Sequence, residues 1–178
     1  LGHSEGSLIG MIAAEKTLVS EFISIAGIGQ SADKILQSQL KTKLPLNLLF
    51  ESNQILDSLR VGKLVSNVNP QLQAIYRPSV QPYMISWFKY NPSNEIQKLK
   101  IPVLIIQGTT DLQVSIDESK LLSSSKPDAT LAIIDNMNHV LKESDSNTQN
   151  NMATYNNPTL PLKAGLADLI VNFIKNKK

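Results

Sequence analysis

Near the start of the chain a serine lies between two glycines, in Gly2-His3-Ser4-Glu5-Gly6. The spacing G-x-S-x-G is typical of a sharp turn from a strand into a helix, which exposes the serine hydroxyl and favours small residues on either side. The N–H groups that begin the following helix would face an oxyanion formed there. The motif suggests nucleophilic attack by Ser4, and a tight turn with a capping serine is the alternative.

A serine hydroxyl is a weak nucleophile unless a base lies beside it, and the chain has two histidines. His3 adjoins Ser4 in the turn, where neighbouring side chains point apart, so we expect it to pack behind the turn or to line its rim. His139 follows a predicted strand by four residues, where a base can reach over the edge of a sheet. We therefore take His139 as the candidate base; a solvated loop histidine is the alternative.

The imidazole of such a base needs a carboxylate to orient it. Asp111 directly follows the predicted strand 101–107, at the carboxyl end where the functional groups of parallel sheets collect. Its alternative role is a turn residue or a cap for the next helix. Asp33 is a less favoured substitute, and Asp135 lies only four residues from His139, which is short for a carboxylate that must reach behind the ring.

Strand-like and helix-like segments alternate along the chain. Apolar, β-branched runs predict strands at 17–27, 101–108 and 129–135. Apolar residues at helical spacing predict helices at 7–16, 31–44, 45–65, 115–125 and 162–178, with short proline-divided helices in 69–92 and a polar loop at 144–158. This alternation predicts an α/β fold on a mostly parallel sheet with right-handed crossovers.

The block 31–98 is mostly helical and too long for a single crossover. We expect it to form a helical cap or lid, inserted into a core made of 1–30 and 99–178.

Aromatic residues of the expected cap could line a substrate pocket. Together with His3, the candidates are Tyr83, Trp87 and Phe88. Packing within the cap itself is the alternative for most of them. Trp87 and Phe88 are neighbours on a helix and point to different sides, so at most one of them is expected to face a site.

Composition excludes several classes of function. The chain has 178 residues, 42% of them hydrophobic, a formal net charge of +2 and no cysteine. Disulfides and cysteine zinc sites are therefore excluded, and two separate histidines are too few ligands to predict a metal site. The sequence has no basic patch that would predict binding of nucleic acid, and no phosphate-binding loop or dinucleotide motif that would predict a cofactor. No apolar run approaches the roughly 18 residues of a membrane span. The tail Lys175-Asn176-Lys177-Lys178 fits a cationic helix end.

Three segments together resemble the α/β-hydrolase superfamily. "GHSEG" resembles its nucleophile elbow, "IPVLIIQGTTDLQV" the strand and loop that carry the acid, and "MNHVLK" the histidine loop. The similarity spans residues 1 to 178 and is strongest to bacterial carboxylesterases and serine-peptidase-like hydrolases with a helical cap. The resemblance implies Ser4 as nucleophile, His139 as base and Asp111 as acid, with the Glu5 backbone N–H as one oxyanion donor.

The chain also departs from that family, which places about five strands and two helices ahead of the elbow. The strand that leads into Ser4, of which Leu1 could be the last residue, and the second oxyanion donor are expected in that part. We therefore expect the chain to be the C-terminal half of a hydrolase. The missing half or a second copy of the chain could be its partner. Any signal peptide would lie upstream of residue 1, so cytoplasmic and exported locations both stay open.

The resemblance implies hydrolysis of a small carboxylic ester through an acyl-enzyme. Acyl thioesterase and serine aminopeptidase activities use the same three residues, and Glu5 or a carboxylate of the cap could hold a substrate amine. An alternative from another class is an inactive piece that acts as an interaction module. Its binding surfaces would be the exposed edge at 19–26 and the apolar helix at 7–16.

Overall fold

The computed structural model describes residues 1–176, which divide into two compact units. We call the first the core unit; it comprises residues 1–29 and the chain from Pro92 onward. The second, the helical unit, comprises Gln30–Asn91. The predicted cationic helix end includes Lys177 and Lys178, which lie outside the described residues.

A parallel sheet forms the centre of the core unit. Its strands are β1 (Gly2–His3), β2 (Phe22–Ile25), β3 (Val103–Gly108) and β4 (Thr130–Ile134), side by side in that order. Since all four run the same way, the segments that follow β1, β3 and β4 meet at one edge of the sheet. These segments carry Ser4, Asp111 and His139. The predicted α/β class and parallel sheet are confirmed.

Residues 1–176 also form α-helices in both units. In chain order they are α1 (Glu5–Lys16), α2 (Ala32–Lys41), α3 (Leu46–Arg60), α4 (Gln73–Tyr76), α5 (Gln81–Phe88), α6 (Pro92–Lys98), α7 (Ile116–Ser125), α8 (Thr148–Ala153) and α9 (Leu166–Lys175). Helices α2 to α5 belong to the helical unit and the others to the core unit.

Alternate residues of β2 and β3 pack on opposite faces of the sheet, as the two-residue period of a strand requires. One face packs against α1, α6 and α7 in a cluster of Met11, Phe22, Ile96, Leu99, Val103, Ile105 and Leu122. The other packs against α9 and the segment after β4 in a cluster of Ile23, Ile25, Ala26, Leu104, Ile106, Met137 and Leu166. Both faces of β3 are therefore buried, which explains its continuous apolar sequence.

Two predicted strands differ from those in the structure. The strand predicted at 17–27 is only β2, because pairing with β3 begins at Phe22. The apolar sequence at 129–135 predicts a buried strand. It forms β4, whose residues are half-buried or exposed. This exposure arises because β4 forms one edge of the sheet.

Two predictions near the C-terminus are also corrected. The polar segment predicted as a loop at 144–158 contains helix α8, whose first N–H groups are capped by the Asn147 side chain. The helix predicted from residue 162 begins instead at Leu166. Gly165 precedes it with φ 80°, a conformation that favours glycine and marks the boundary.

The helical unit has its own apolar core, formed by Leu40, Leu48, Ile55, Leu56, Leu59, Val68, Leu72, Tyr76 and Met84. Several of its buried polar groups are hydrogen-bonded within the unit, whereas the buried Trp87 Nε1 has no hydrogen-bond partner among the described residues. The hydroxyls of Ser52 and Tyr76 are 2.7 Å apart, and the Gln81 amide bonds to both backbone groups of Val65. These bonds remove the cost of burying unpaired polar atoms.

Asp33, the substitute acid considered from the sequence, is an ion-pair partner in this unit. Its Oδ2 accepts a hydrogen bond from Arg60 Nε at 2.6 Å. Burial by itself would raise the pKa of Asp33, but hydrogen bonds from Ser31 and Arg60 outweigh it and hold that pKa below its ordinary value. The structure therefore gives Asp33 a structural role.

Within residues 1–176, every helix is too short or too polar to cross a lipid bilayer.

Candidate active site

Ser4 occupies a strained turn between β1 and α1. Its φ is 54° and its ψ is −124°, in a region that residues with a side chain rarely adopt. The Ser4 N–H continues the sheet by bonding to the Ile25 carbonyl at 2.9 Å, and α1 begins at the next residue, Glu5. This geometry agrees with the turn predicted from G-x-S-x-G.

The two glycines of the motif have different roles. A Cβ on Gly2 would lie 2.1 Å from the Gly6 carbonyl oxygen, which is far inside contact distance, whereas a Cβ on Gly6 would meet nothing within 4 Å. The sequence interpretation that both glycines prevent collisions is therefore correct only for Gly2.

We expect Gly2→Ala to lower the free energy of unfolding by about 2–4 kcal/mol, because backbone atoms rather than a flexible side chain oppose the new methyl group. Gly6→Ala is the matched control and should cause no loss of stability. Chemical denaturation of both variants checks the difference. Equal losses for the two would contradict the assigned role of Gly2.

Helix α1 is fixed to the sheet directly behind the turn. The hydroxyls of Ser7 and Ser24, both buried, are 2.6 Å apart. Gly10 lets the helix approach β2, since a Cβ there would lie 2.6 Å from the Phe22 ring. Helix α1 therefore has little freedom to move the turn that it supports.

The helical spacing of Leu8, Ile9 and Ile12 in the sequence predicts that these residues bury α1, and the structure differs. Leu8 and Met11 are buried, while Ile9 is 59% exposed.

Asp111 is held on both of its oxygens. Oδ1 accepts hydrogen bonds from the N–H groups of Gln113 and Val114 at 2.8 and 2.9 Å. Oδ2 accepts one from Gln107 Nε2 at 3.1 Å and lies 2.9 Å from His139 Nδ1. The side chain is 1% exposed. Asp111 therefore has one well-defined orientation.

The charge state of Asp111 follows from these contacts. Burial by itself would raise its pKa, but the hydrogen bonds from His139, Val114 and Gln113 outweigh burial and hold the pKa below its ordinary value of 3.8. Asp111 is therefore ionised at neutral pH and can only accept hydrogen bonds. It follows that His139 Nδ1 carries the proton in their contact, which leaves Nε2 as the basic nitrogen.

His139 lies on a short loop after β4 that bends through two residues with positive φ, Asn136 at 55° and Leu141 at 62°. The loop packs closely on the end of β3, since a Cβ on Gly108 would lie 2.0 Å from the Met137 carbonyl oxygen. This close approach brings the His139 loop against the Asp111 loop.

His3 extends the site in a way that the sequence did not predict. Its Nε2 donates a hydrogen bond to the His139 carbonyl at 2.8 Å, and the two imidazole rings are 4.8 Å apart between centroids. Burial lowers the pKa of His3 below its ordinary value of 6.5, although the hydrogen bond to the carbonyl opposes the shift. His3 is therefore mostly neutral at pH 7 and acts as a donor to the histidine loop.

The candidate residues are brought together to different extents. Asp111 and His139 are in direct contact, and His3 joins the Ser4 turn to His139. Among the hydrogen bonds of residues 1–176, none joins the Ser4 hydroxyl to the His139 imidazole. Catalytic hydrogen bonds are often long in a ligand-free site and tighten when a substrate binds.

The aromatic candidates of the helical unit differ in their surroundings. The Tyr83 and Trp87 rings pack together with centroids 5.6 Å apart, and Tyr83 is 48% exposed. Phe88 packs against the core of its own unit. A pocket role for these side chains stays a prediction.

Sequence reasoning missed Gln107, which is fully buried at the end of β3. Its Nε2 donates to Asp111 Oδ2 and to the Val114 carbonyl, so it supports the acid from behind. A signal was available, since Gln107 is the one polar side chain in the run Ile101–Gln107. A buried amide in an apolar strand needs a hydrogen-bonding partner.

A cavity of about 970 Å³ lies elsewhere in the core unit. It is lined by residues that precede β2 and β3 and by α9, among them Glu21, Pro102 and Phe173. Because it opens at the amino ends of the strands, it does not belong to the site around Ser4.

Comparison with solved structures identifies the class of fold. Est1E from Butyrivibrio proteoclasticus superposes with a TM-score of 0.51 at 20% identity, covering 78% of this chain and 51% of that one. The same protein with ferulic acid bound gives a TM-score of 0.50. The chain has an α/β-hydrolase fold, and the resemblance seen in the sequence is confirmed at the level of the fold.

A curated relative is similar in sequence. Esterase EstD from Thermotoga maritima is 24% identical over 144 residues, which is 79% of this chain and 34% of that protein. The chain thus spans about a third of this relative and about half of Est1E. No protein-family model matches the chain.

Proposed function

We propose that this chain carries the catalytic residues of a serine hydrolase that cleaves carboxylic esters through an acyl-enzyme. Ser4 is the nucleophile, His139 the general base and Asp111 the orienting acid. The observation that carries the proposal is the 2.9 Å contact between His139 Nδ1 and Asp111 Oδ2, beside a strained Ser4 at the same edge of the sheet.

The ionised Asp111 fixes the His139 tautomer, so Nε2 can accept the Ser4 proton as Ser4 Oγ attacks the ester carbonyl. The carbonyl π electrons move to oxygen and form a tetrahedral oxyanion. His139 then gives its proton to the leaving alcohol oxygen, and the C–O bond breaks to leave the acyl-enzyme. A water molecule, deprotonated by His139, then attacks the acyl-enzyme in the same way, and His139 returns the proton to Ser4 Oγ as the carboxylic acid is released.

The start of α1 supplies electrostatic stabilisation of the oxyanion. Glu5 is the first residue of α1, and the N–H groups of a first helical turn point along the axis toward its amino end. The Glu5 N–H is the proposed donor. Loss of one such donor typically costs about 10²–10³ in rate.

Two comparisons support an ester as the substrate. EstD is named as an esterase, and one structure of Est1E holds ferulic acid, an aromatic carboxylic acid. An aryl or aromatic ester is therefore a suitable first substrate.

Labelling with a fluorophosphonate probe tests the proposal, because only an activated serine reacts with it. We expect labelling of the purified protein at Ser4, located by peptide mass spectrometry. Hydrolysis of a short-chain aryl ester should exceed that of an acyl-CoA and of an aminoacyl anilide. Preference for the thioester or the anilide would replace the ester assignment. No labelling, together with self-association in light scattering, would favour an inactive interaction module.

A further inference from the structure

One buried asparagine joins the two loops that carry the proposed acid and base. Asn151, on α8, is fully buried. Its Nδ2 donates to the Thr110 carbonyl at 2.7 Å, and its Oδ1 accepts from Asn138 Nδ2 at 3.3 Å. Thr110 directly precedes Asp111, and Asn138 directly precedes His139. A single side chain therefore contacts both loops beside their functional residues.

The polar atoms around Asn151 form a closed network. Its Nδ2 also donates to the Asp145 carbonyl at 3.3 Å. Asn138 Nδ2 donates in addition to Thr154 Oγ1 at 2.6 Å, and that hydroxyl donates to the Asn151 carbonyl at 2.7 Å. A buried polar network with its members satisfied is rigid and specifies one arrangement.

Helix α8 holds Asn151 in this inward position. A helix of six residues has little stability of its own. The Asn147 side chain caps it by accepting from Gln149 and Asn150, and the Asn151 N–H bonds to the Asn147 carbonyl at 2.9 Å. The neighbouring Asn150 side chain points outward and bonds to Asp145.

The two loops have other links, but these lie next to the strands. The Thr110 N–H donates to the Met137 carbonyl at 3.2 Å, and the Asn136 N–H donates to Thr109 Oγ1 at 2.9 Å. They join the loops where they leave β3 and β4. Besides the contact between Asp111 and His139 themselves, Asn151 adds a link through α8 beside the functional residues. Its loss would leave the loops attached to the sheet but less constrained at the functional residues.

We propose that Asn151 is a positioning residue that keeps Asp111 and His139 in register by bonding to Thr110 and Asn138. This inference rests on the proposed function for its effect on turnover, and on the geometry alone for its effect on the contact between Asp111 and His139. A displacement of about 1 Å at a reacting group can cost 10²-fold in rate.

Asn151→Ala tests the proposal in the whole protein, with Asn150→Ala as the matched control on the same helix. We expect the first variant to lower kcat for an aryl ester by about 10–10²-fold with little change in KM. Asn150→Ala should retain kcat. The His139 Nδ1 proton, assigned by its loss in His139→Gln, gives a downfield NMR signal that should weaken or broaden only in Asn151→Ala.

A purely structural role would give a different result. If Asn151→Ala lowers the midpoint of thermal unfolding while kcat and the His139 proton signal stay unchanged below that midpoint, the proposal is overturned. Should that variant fail to fold, Asn151→Asp keeps the size of the side chain and the acceptor for Asn138, and removes the Nδ2 donor to the carbonyls of Thr110 and Asp145. It is expected to show the same fall in kcat, and wild-type kcat would overturn the proposal.

The two readouts separate this inference from the proposed function. If the wild-type protein has no hydrolase activity but its His139 proton signal weakens in Asn151→Ala, the proposed function fails and the positioning role stands. If the enzyme is active and neither readout changes, the positioning role fails alone.

Discussion

Ser4→Ala is expected to reduce kcat for an aryl ester by about 10⁶-fold and to abolish labelling by a fluorophosphonate. The reason is that the Ser4 hydroxyl supplies the atom that becomes acylated, and no other group of the site can replace it. Alanine keeps the Cβ at φ 54°, so the backbone cost of the turn is the same in both proteins. Thermal unfolding should therefore stay close to that of the wild type.

Ser7→Ala provides a contrasting control three residues away. Its hydroxyl is buried against Ser24, and its removal leaves a buried polar atom without that partner. We expect a loss of about 1–3 kcal/mol in unfolding free energy while labelling at Ser4 is retained. Undiminished turnover or labelling in Ser4→Ala would show that another residue is the nucleophile.

The sequence predicts the fold best where one periodicity applies over a whole element. Strand β3 and helices α1, α3 and α7 lie where the sequence places them, within a few residues at each end. Predictions fail where packing or capping decides the outcome. Strand β4 is apolar in sequence but lies at the sheet edge, and α8 exists because Asn147 caps it.

Sequence patterns predict the position of the candidate site but only some of its contacts. Chain order and strand ends place Asp111 and His139 at one edge of the sheet, where they make contact. Bonds between distant residues cannot be read from local patterns, as His3 to His139 and Asn151 to Thr110 illustrate. Each of these hydrogen bonds forms only when several loops pack together in their folded positions.

Exposed apolar residues also follow from the structure and not from periodicity. Leu1, Ile9 and Leu18 are 68%, 59% and 106% exposed, although Ile9 and Leu18 belong to segments predicted from their apolar pattern. Scattered exposed apolar residues are common on protein surfaces.

Asp111→Asn is expected to lower kcat by about 10⁴-fold with the fold retained. Asparagine keeps an oxygen for the N–H groups of Gln113 and Val114, which turns its NH₂ group toward His139 and Gln107. An N–H group facing His139 Nδ1 favours the tautomer with the proton on Nε2, and that tautomer cannot accept the Ser4 proton. Kinetic measurement with the same aryl ester checks the loss.

The same substitution tests the electrostatics of Asp111. Since folding lowers the pKa of Asp111 from its ordinary value of 3.8, its carboxylate stabilises the folded state above that value and loses this contribution as pH falls through the folded pKa. Below pH 4 the unfolding free energy of the wild type should therefore decline more steeply with acid than that of Asp111→Asn. Asp117→Asn, whose side chain is 85% exposed, should retain wild-type kcat. Identical slopes for wild type and Asp111→Asn would contradict the lowered pKa, and wild-type kcat in Asp111→Asn would remove Asp111 from the mechanism.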